Sequence, residues 1–159
     1  MRVFADTEFT SSFGDGVLIS AGLVTEDGRE CYVELADGWT LDECTPFVHD
    51  VVLPLLDRNS STTFGTEAAA DFVAAWLQIL GDVEINVDAR DDEYLLKLLL
   101  GHRAEDLSIA WRYLTWESGA EALEFDRHVE ALFYNVSRRH HALVDARVLR
   151  DAFMSFPTC

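Results

Sequence analysis

Alternating hydrophobic and polar positions in the first quarter of the chain predict three β-strands. The strands cover residues 1–8, 17–26 (VLISAGLVTE) and 30–36 (ECYVELA). Glycine and aspartate fill the connections at 14–16 and 27–28, and these residue types are typical of tight hairpin turns. We therefore expect three consecutive strands that pair in antiparallel fashion.

The hydrophobic period changes after Gly38, where apolar residues begin to recur at helical spacing. The clearest case is the segment TEAAADFVAAWLQIL, which begins at Thr66. A helix is also expected in CTPFVHDVVLPLL (residues 44–56), where Pro54 disturbs it. Further helices are predicted for DDEYLLKLLL (91–100), for residues 119–134 and for residues 142–153.

Two more strands, at 84–89 and 107–115, alternate with these helices, and the polar stretch RNSSTTFG (58–65) predicts a loop. A meander followed by alternating helices and strands predicts an α/β fold. We expect a mixed five-stranded sheet, with three antiparallel strands and then two parallel ones, flanked by helices on both faces. The chain has 159 residues, of which 49% are hydrophobic, so a single domain is expected over residues 1–159.

The net charge of −17 changes which functions are plausible. It argues against a protein that holds DNA or RNA with a broad basic surface, because that mode needs many Lys and Arg contacts to phosphate. It does not exclude an enzyme that acts on nucleic acid. A site lined with carboxylates can recruit divalent cations, and the bound cations then attract phosphate.

The composition also bears on the cellular compartment. No run approaches the ~20 apolar residues of a membrane span. The N-terminus lacks the basic region and apolar core of a signal peptide. The three cysteines are widely spaced and odd in number, which fits reduced thiols better than a disulfide framework. We expect a cytoplasmic protein without a membrane partner.

The stretch FADTEF places two carboxylates, Asp6 and Glu8, at the end of the first predicted strand. Side chains two residues apart in a strand share a face, so Asp6 and Glu8 project together while Thr7 faces the other way. Two ionised carboxylates at this spacing repel each other. A cation, a shared proton or exposure to water must compensate for that repulsion.

Three more aspartates follow the fourth predicted strand. Asp88 closes the strand, and Asp91 and Asp92 open the helix after it. Sites in α/β proteins collect where strands finish and helices begin, which favours a functional role. The alternatives are a turn residue for Asp88 and ordinary helix N-caps for the other two.

The last predicted helix carries a histidine pair and an aspartate in the sequence HHALVDAR. His140 and His141 precede Asp145 by five and four residues, so at ~3.6 residues per turn a histidine and Asp145 share one helix face. A solvated helix start and an aspartate paired with nearby arginines would give the same pattern. The combination with the earlier carboxylates favours a functional site.

The order of these residues resembles that of the DEDDh 3′–5′ exonucleases, the DnaQ-like group of the ribonuclease H-like superfamily. The shared motifs are Asp-x-Glu (Asp6, Glu8), a mid-chain aspartate, and a histidine followed after four residues by aspartate (His140, Asp145). The FADTEF opening, the VLP at 52–54 and HHALVDAR are similar to the small bacterial RNase AS-type exoribonucleases. The resemblance covers nearly the whole chain and implies a ribonuclease H-like fold.

The middle motif of the family is an Asn, two residues, an aromatic residue, then the catalytic Asp with a Leu four positions later. Overlaid on VDARDDEYLL, it places Asp92 at the catalytic Asp and Leu96 at the Leu. Asp88 then stands in place of the Asn and Asp91 in place of the aromatic residue. The resemblance selects Asp92 and leaves Asp88 and Asp91 as alternatives.

The resemblance implies a catalytic site that holds two divalent cations, Mg²⁺ or Mn²⁺. The implied base is His140, selected over His141 by spacing, and it accepts a proton from the attacking water. Two cations ~3.5–4 Å apart can stabilise the attacking and the leaving oxygen of a phosphodiester, and Mg²⁺ prefers oxygen ligands. The implied metal ligands are Asp6, Glu8, Asp92 and Asp145.

The resemblance further implies that the partner is the 3′ end of single-stranded RNA or of an RNA tail, and that nucleoside monophosphates are released. RNase AS-type enzymes form homodimers, so a homodimer is also expected. Exposed rings such as Phe13, Trp39 or Phe64 are candidates for stacking on a terminal base, although such rings more often pack in a core.

Two alternatives to RNA hydrolysis remain from the sequence. One is a proofreading-like 3′–5′ exonuclease that acts on DNA. The other is a catalytically inactive acidic module that binds nucleic acid or protein. The complete set of four carboxylates and one histidine favours an enzyme, because a binding module has no chemical reason to keep it.

Overall fold

The computed structural model describes residues 1–11, 16–114 and 118–156. A six-stranded mixed sheet with the spatial order β4-β3-β2-β1-β5-β6 forms its centre. The β1–β2 and β2–β3 pairs are antiparallel, and the other neighbouring pairs are parallel. The strands are β1 (Arg2–Phe9), β2 (Leu18–Thr25), β3 (Glu30–Leu35), β4 (Thr63–Phe64), β5 (Val83–Val87) and β6 (Ile109–Tyr113).

The predicted α/β class, the three antiparallel strands and the two later parallel strands are confirmed. The number of strands was wrong by one, because β4 lies within the segment predicted as a loop. Its pairing with β3 continues through the hydrogen bonds from Glu34 N–H to Thr62 O and from Ala36 N–H to Phe64 O, both 2.8 Å. A strand of two residues is too short to show alternation, so only pairing with β3 defines it.

Four α-helices are present in the described part of the chain. Helix α3 begins with a capping box in which Ser118 and Glu121 each accept a backbone hydrogen bond from the other residue. Helix α2 has three acidic residues in its first turn, where the positive end of the helix dipole favours them. The helices are α1 (Thr66–Leu80), α2 (Arg90–Leu100), α3 (Gly119–Phe133) and α4 (Ala142–Ser155).

The single helix predicted for residues 44–56 is instead a series of short turns. A π-helix, Val48–Val52, continues into a 3₁₀-helix, Leu53–Leu55, which contains Pro54. Since proline has no N–H to donate, the change of helix type at this point follows from the sequence. Other 3₁₀ turns span Leu41–Glu43 and Gly101–Asp106.

The central strand β1 is covered on both faces, which explains its nearly continuous hydrophobic sequence. Val3 and Ala5 belong to the core that packs under α1 and α2, and Phe4 belongs to the core formed with α3 and α4. Phe4 lies 5.2 Å from the ring of Phe153 on α4. Asp6 shares the face of Phe4, so the acidic end of β1 projects towards α3 and α4.

Some predicted features lie outside the described residues. These are Phe13, the Gly14 and Asp15 part of the first turn, Thr115 at the end of the predicted last strand, and Cys159. Among the described helices, none combines the length and the apolar character needed to cross a bilayer.

Candidate metal centre and active site

Strand β1 delivers Asp6 and Glu8 to the same side of the sheet, as the alternation predicted. Glu8 is 9% exposed. The Oδ2 atom of Asp6 is buried and has no hydrogen-bond partner among the described residues. Since a buried carboxylate oxygen without a partner is costly, this atom is a candidate ligand for a cation.

Strand β5 brings a second pair of carboxylates to the same place. It runs parallel to β1 with Phe4 beside Asn86, so the continuing register carries Asp88 alongside Asp6. Asp92 lies in the first turn of α2, which follows β5, and its side chain reaches the same place. Oxygen atoms of Asp6, Asp88 and Asp92 all lie within 4.8 Å of one another.

Asp92 is fixed by Thr7, the residue of β1 that faces away from Asp6. The Thr7 N–H and hydroxyl donate to Asp92 Oδ1 over 3.0 and 2.6 Å. Asp92 is 2% exposed, whereas Asp91 is exposed and lies outside this group. The structure therefore brings both Asp88 and Asp92 to Asp6, so that two of the three competing aspartates share the site.

Helix α4 brings Asp145 and a histidine from the other side. Its first residues lie directly on β2 at Gly22, where an added Cβ would be 2.3 Å from Leu143 N and 2.4 Å from Ala142 C. Gly22 is also the strand partner of Asp6. Only a residue without a side chain lets the start of α4 approach the sheet this closely, and Asp145 thereby reaches the acidic end of β1.

His140 precedes α4 in a left-handed backbone conformation with φ of 70°. Its backbone N–H donates to Asp145 Oδ2 over 2.9 Å, and its ring is perpendicular to that of Phe47, with 5.0 Å between centroids. A ring nitrogen of His140 and carboxylate oxygens of Glu8 and Asp145 lie within 4.8 Å of one another. The predicted base and two predicted ligands therefore form a second group of possible ligand atoms.

His141 points elsewhere, towards β3. Its ring stacks on Tyr32 with 4.5 Å between centroids, and its Nε2 lies 3.7 Å from Asp57 Oδ1. The residue is 3% exposed. The adjacent histidines thus occupy different places on one sheet face, with His140 in the site and His141 outside it.

The acidic groups of the site have raised pKa values because burial disfavours their charged forms. Burial raises the pKa of Glu8 to about 8, of Asp92 to about 7 and of Asp145 to about 7. For Asp6, burial and then repulsion from Asp92 and Glu8 raise the pKa well above its usual value. A nearby cation, Arg139, lowers the pKa of Asp145 in part, and no described cation does so for Asp6, Glu8 or Asp92.

The pKa of His140 changes in the opposite direction. Burial, followed by the nearby charge of Arg139, lowers it below the ordinary value for histidine. His140 is therefore neutral at physiological pH and able to accept a proton.

These residues surround a cavity of about 1000 Å³ between the acidic end of β1, the Phe47 turn, and helices α3 and α4. Its walls include Tyr113 and Phe133, which had no signal in the sequence, and Arg139, one of four arginines that crowd the C-terminal segment. The Arg139 guanidinium lies over the Phe133 ring and pairs with Glu130 through two hydrogen bonds of 2.7 and 2.8 Å. Its place in that arginine cluster and its position next to His140 are the sequence signals for a role.

Other aromatic residues suggested for base stacking lie elsewhere in the fold. Trp39 packs against the main core and donates its indole N–H to Leu35 O, and Phe64 stacks on Phe72. Neither lines the cavity. Phe47, by contrast, is 50% exposed and borders the cavity.

The donor set fits a hard divalent cation. Five carboxylates converge there, and two of their oxygens, Asp6 Oδ2 and Asp145 Oδ1, are buried without a hydrogen-bond partner among the described residues. Mg²⁺ and Mn²⁺ prefer such oxygen ligands, and the carboxylates of the two groups, Glu8 with Asp145 and Asp6 with Asp88 and Asp92, could serve two ions. Comparison with protein-family models gives no match for this chain, and a search of curated proteins finds no significant relative.

Proposed function

We propose that this protein is a metal-dependent 3′–5′ exoribonuclease with a ribonuclease H-like fold and a DEDDh-type active site. The main support is the convergence of carboxylates from three separate parts of the chain, around residues 6–8, 88–92 and 145, next to His140. A structural role does not explain why these acidic groups face each other when Arg139, near Asp145, is the one described cation that lowers the pKa of any metal ligand named above. Mg²⁺ or Mn²⁺ would supply the opposite charge.

The proposed metal ligands are Asp6, Glu8, Asp92 and Asp145, and the position of Asp88 makes it a further candidate. When bound, a pair of such ions stabilises negative charge on the attacking and leaving oxygens of a phosphodiester. Thr7 holds Asp92, and Gly22 lets α4 bring Asp145 close to β1. The protein therefore supplies a rigid set of oxygen ligands at the end of its central strand.

His140 is the proposed general base. Its neutral imidazole accepts a proton from water as the water oxygen bonds to phosphorus and the bond from phosphorus to the 3′ oxygen of the preceding nucleotide breaks, and that 3′ oxygen takes up a proton from solvent. The products are a nucleoside 5′-monophosphate and a chain shortened by one residue. The Asp145 carboxylate accepts a hydrogen bond from the backbone N–H of His140 and so fixes the backbone that carries the base.

The preference for RNA rests on the resemblance to RNase AS-type enzymes, so the experiment includes both nucleic acids. Single-stranded RNA and DNA, each labelled at the 5′ or the 3′ end, are incubated with the protein in Mg²⁺, in Mn²⁺ or in excess EDTA. We expect 5′-labelled RNA to shorten stepwise and 3′-labelled RNA to release labelled mononucleotide first, in both cases only with the metal. Activity in excess EDTA would exclude the mechanism.

A matched pair of variants tests whether the proposed site carries the activity. Asp92→Asn removes a buried ligand, whereas Asp91→Asn changes the neighbouring exposed aspartate on the same helix. We expect Asp92→Asn to lower kcat by at least about 100-fold, a typical effect of losing a key catalytic group, and Asp91→Asn to change it less than about twofold. Cleavage of DNA in preference to RNA, or binding without cleavage, would support one of the alternatives instead.

A further inference from the structure

A second polar cluster lies on the same face of the sheet, two strands away from the metal ligands. Tyr32 and Glu34 of β3 face it, and Asp57, Arg138 and His141 complete it. Gly22 stands between Asp6 and Tyr32 in the strand pairing, so the start of α4 runs across β2 from one group to the other. The two adjacent histidines connect the cluster directly to the proposed base.

Asp57 lies at the centre of this cluster. Its Oδ1 accepts a hydrogen bond of 2.6 Å from the Arg138 guanidinium, which also donates to Leu55 O. The same oxygen lies 3.7 Å from Nε2 of the buried His141, which is a close approach but beyond hydrogen-bond distance. One carboxylate is therefore in contact with residues on both sides of His140.

Glu34 fixes Asp57 in turn. The Glu34 carboxylate is 2% exposed and accepts four hydrogen bonds: from the Tyr32 hydroxyl, the Asp57 N–H, the Arg58 N–H and the Thr63 hydroxyl, at 2.8, 2.5, 2.9 and 3.2 Å. The segment that carries Asp57 is thus attached to the sheet.

Glu34, Asp57 and His141 also place possible ligand atoms within 4.8 Å of one another. However, the Glu34 oxygens already accept four hydrogen bonds, and Arg138 balances the charge of Asp57. Contacts within the protein therefore account for the two carboxylates, whereas neither ring nitrogen of the buried His141 has a hydrogen-bond partner among the described residues.

Backbone strain is located at the two segments that Asp57 connects. In the described part of the chain, the non-glycine residues with positive φ are Arg58, at 50°, and His140, at 70°. Such conformations persist only where the surroundings hold them, and they cluster at functional sites. Arg58 follows Asp57 directly, and His140 lies between the two residues that Asp57 contacts.

We propose that Asp57 is a positioning residue for His140. By binding Arg138 and lying against the ring of His141, Asp57 keeps the intervening His140 in its left-handed conformation, with its ring directed at Glu8 and Asp145. This inference rests on the proposed function, because it gives His140 the role of the base. Asp57 itself lies outside the cavity, so it acts through His140 and not on the substrate.

The chain offers a closely matched control. The Arg138–Asp57 pair has side chains 41% and 32% exposed, and the Arg147–Glu30 pair has side chains 43% and 35% exposed. Arg147 is on α4 and Glu30 is on β3. Glu30→Ala therefore removes a similarly exposed ion pair, between α4 and β3, without involving the His140 segment.

The kinetic test compares Asp57→Ala and Glu30→Ala in Mg²⁺. We expect Asp57→Ala to lower kcat about tenfold with KM within about twofold, since the base is misplaced while substrate binding is kept. Glu30→Ala should leave both values nearly unchanged. In a His140→Asn background, Asp57→Ala should cause no further loss. A further loss in that background, or an equal loss from Glu30→Ala, would overturn the proposal.

Amide hydrogen exchange tests the same inference without relying on activity. Asp57→Ala should speed exchange at residues 138–141 by at least about tenfold, and Glu30→Ala should not. Unchanged exchange in Asp57→Ala would refute the positioning role even if the enzyme is active. If Asp57→Ala speeds exchange at these residues but the wild-type protein shows no metal-dependent hydrolysis, Asp57 positions His140 and the proposed function is rejected.

Discussion

At the scale of single residues, the site depends on polar atoms that lack partners within the protein. Asp6 Oδ2 and Asp145 Oδ1 are buried and unpaired among the described atoms, while Asp92 Oδ1 accepts two hydrogen bonds from Thr7. His140 adopts a backbone conformation that costs most residues roughly 1–2 kcal/mol. Unpaired charge and local strain in the same few residues are features of a functional site.

The His140→Asn variant tests the proposed base at this scale. Asparagine tolerates positive φ, so the backbone should keep its conformation while the proton acceptor is lost. We expect kcat to fall at least about 100-fold, with Mg²⁺ affinity and the melting temperature nearly unchanged. The measurements are steady-state kinetics, calorimetric titration with Mg²⁺ and thermal unfolding.

His102→Asn is the control for that variant, because His102 is exposed and lies outside the cavity. It should retain wild-type activity. In the wild type, kcat should fall as the pH drops below the pKa of His140, which burial places below the ordinary value. Full activity in His140→Asn would mean that another group accepts the proton.

At the scale of elements, the site exists because helix α4 begins against the sheet. Strands β1, β2 and β3 present Asp6, Gly22 and Tyr32 as neighbours in one row. The first residues of α4 cross this row at its glycine, where the backbone atoms of the helix leave no space for a Cβ. This close approach places Asp145 on the side of β1, near Glu8, and His141 on the side of β3, against Tyr32.

Gly22→Ala tests the role of this contact. The added methyl would lie 2.3 Å from Leu143 N, so α4 must move away from the sheet. We expect a loss of about 1–3 kcal/mol in the free energy of unfolding, as for other overpacked sites, and a loss of kcat near 100-fold from misplacement of about 1 Å. Chemical denaturation and kinetics measure the two effects.

Gly119→Ala is the matched control, since no described atom lies within 4 Å of the position of its Cβ. It should fold and react like the wild type. If Gly22→Ala also behaves like the wild type, the close approach of α4 does not position the site.

At the scale of the whole molecule, the acidic cluster links stability to pH and to metal. The folded protein raises the pKa of Glu8 from 4.5 to about 8 and those of Asp92 and Asp145 from 3.8 to about 7. A raised carboxyl pKa stabilises the fold fully below the unfolded value, and this contribution is lost as the pH rises through the folded value. Without metal, the protein should therefore lose stability between about pH 4 and pH 8.

Divalent cations should reverse this loss, because they bind the deprotonated carboxylates. At a hundredfold excess over Kd, one Mg²⁺ site adds about 2.7 kcal/mol, or roughly 5–10 °C in melting temperature. We expect the increase to be larger at pH 8 than at pH 6, as measured by thermal unfolding with Mg²⁺ or with EDTA. Surface acids in ion pairs act in a different pH range. The pKa of Glu30 is lowered, so its contribution to the stability of the fold is lost only below about pH 4, outside the range from pH 4 to pH 8.

A double variant, Asp6→Asn with Glu8→Gln, checks that the acidic cluster causes both effects. It should flatten the decline of stability with pH in EDTA and abolish most of the Mg²⁺ effect. An equal Mg²⁺ effect in the double variant would show that cations stabilise the protein at some other place, such as its generally acidic surface.

Periodicity along the chain determined the elements and part of the site. Alternation alone predicted that Asp6 and Glu8 share a face, because the geometry of a strand is local. Helical spacing likewise predicted α1 and α4 to within a few residues. These inferences held because each needs only the conformation of a short segment.

Contacts between distant segments decided the rest. Pairing with β3 is what defines β4, and the register of β5 brings Asp88 beside Asp6. The contact of α4 with Gly22 places the side chains of His140 and His141 in different groups. No local pattern encodes these outcomes, since each depends on which residues meet after the chain has folded. The sequence thus supplied the chemical groups and their local directions, whereas tertiary packing determined which of them share a site.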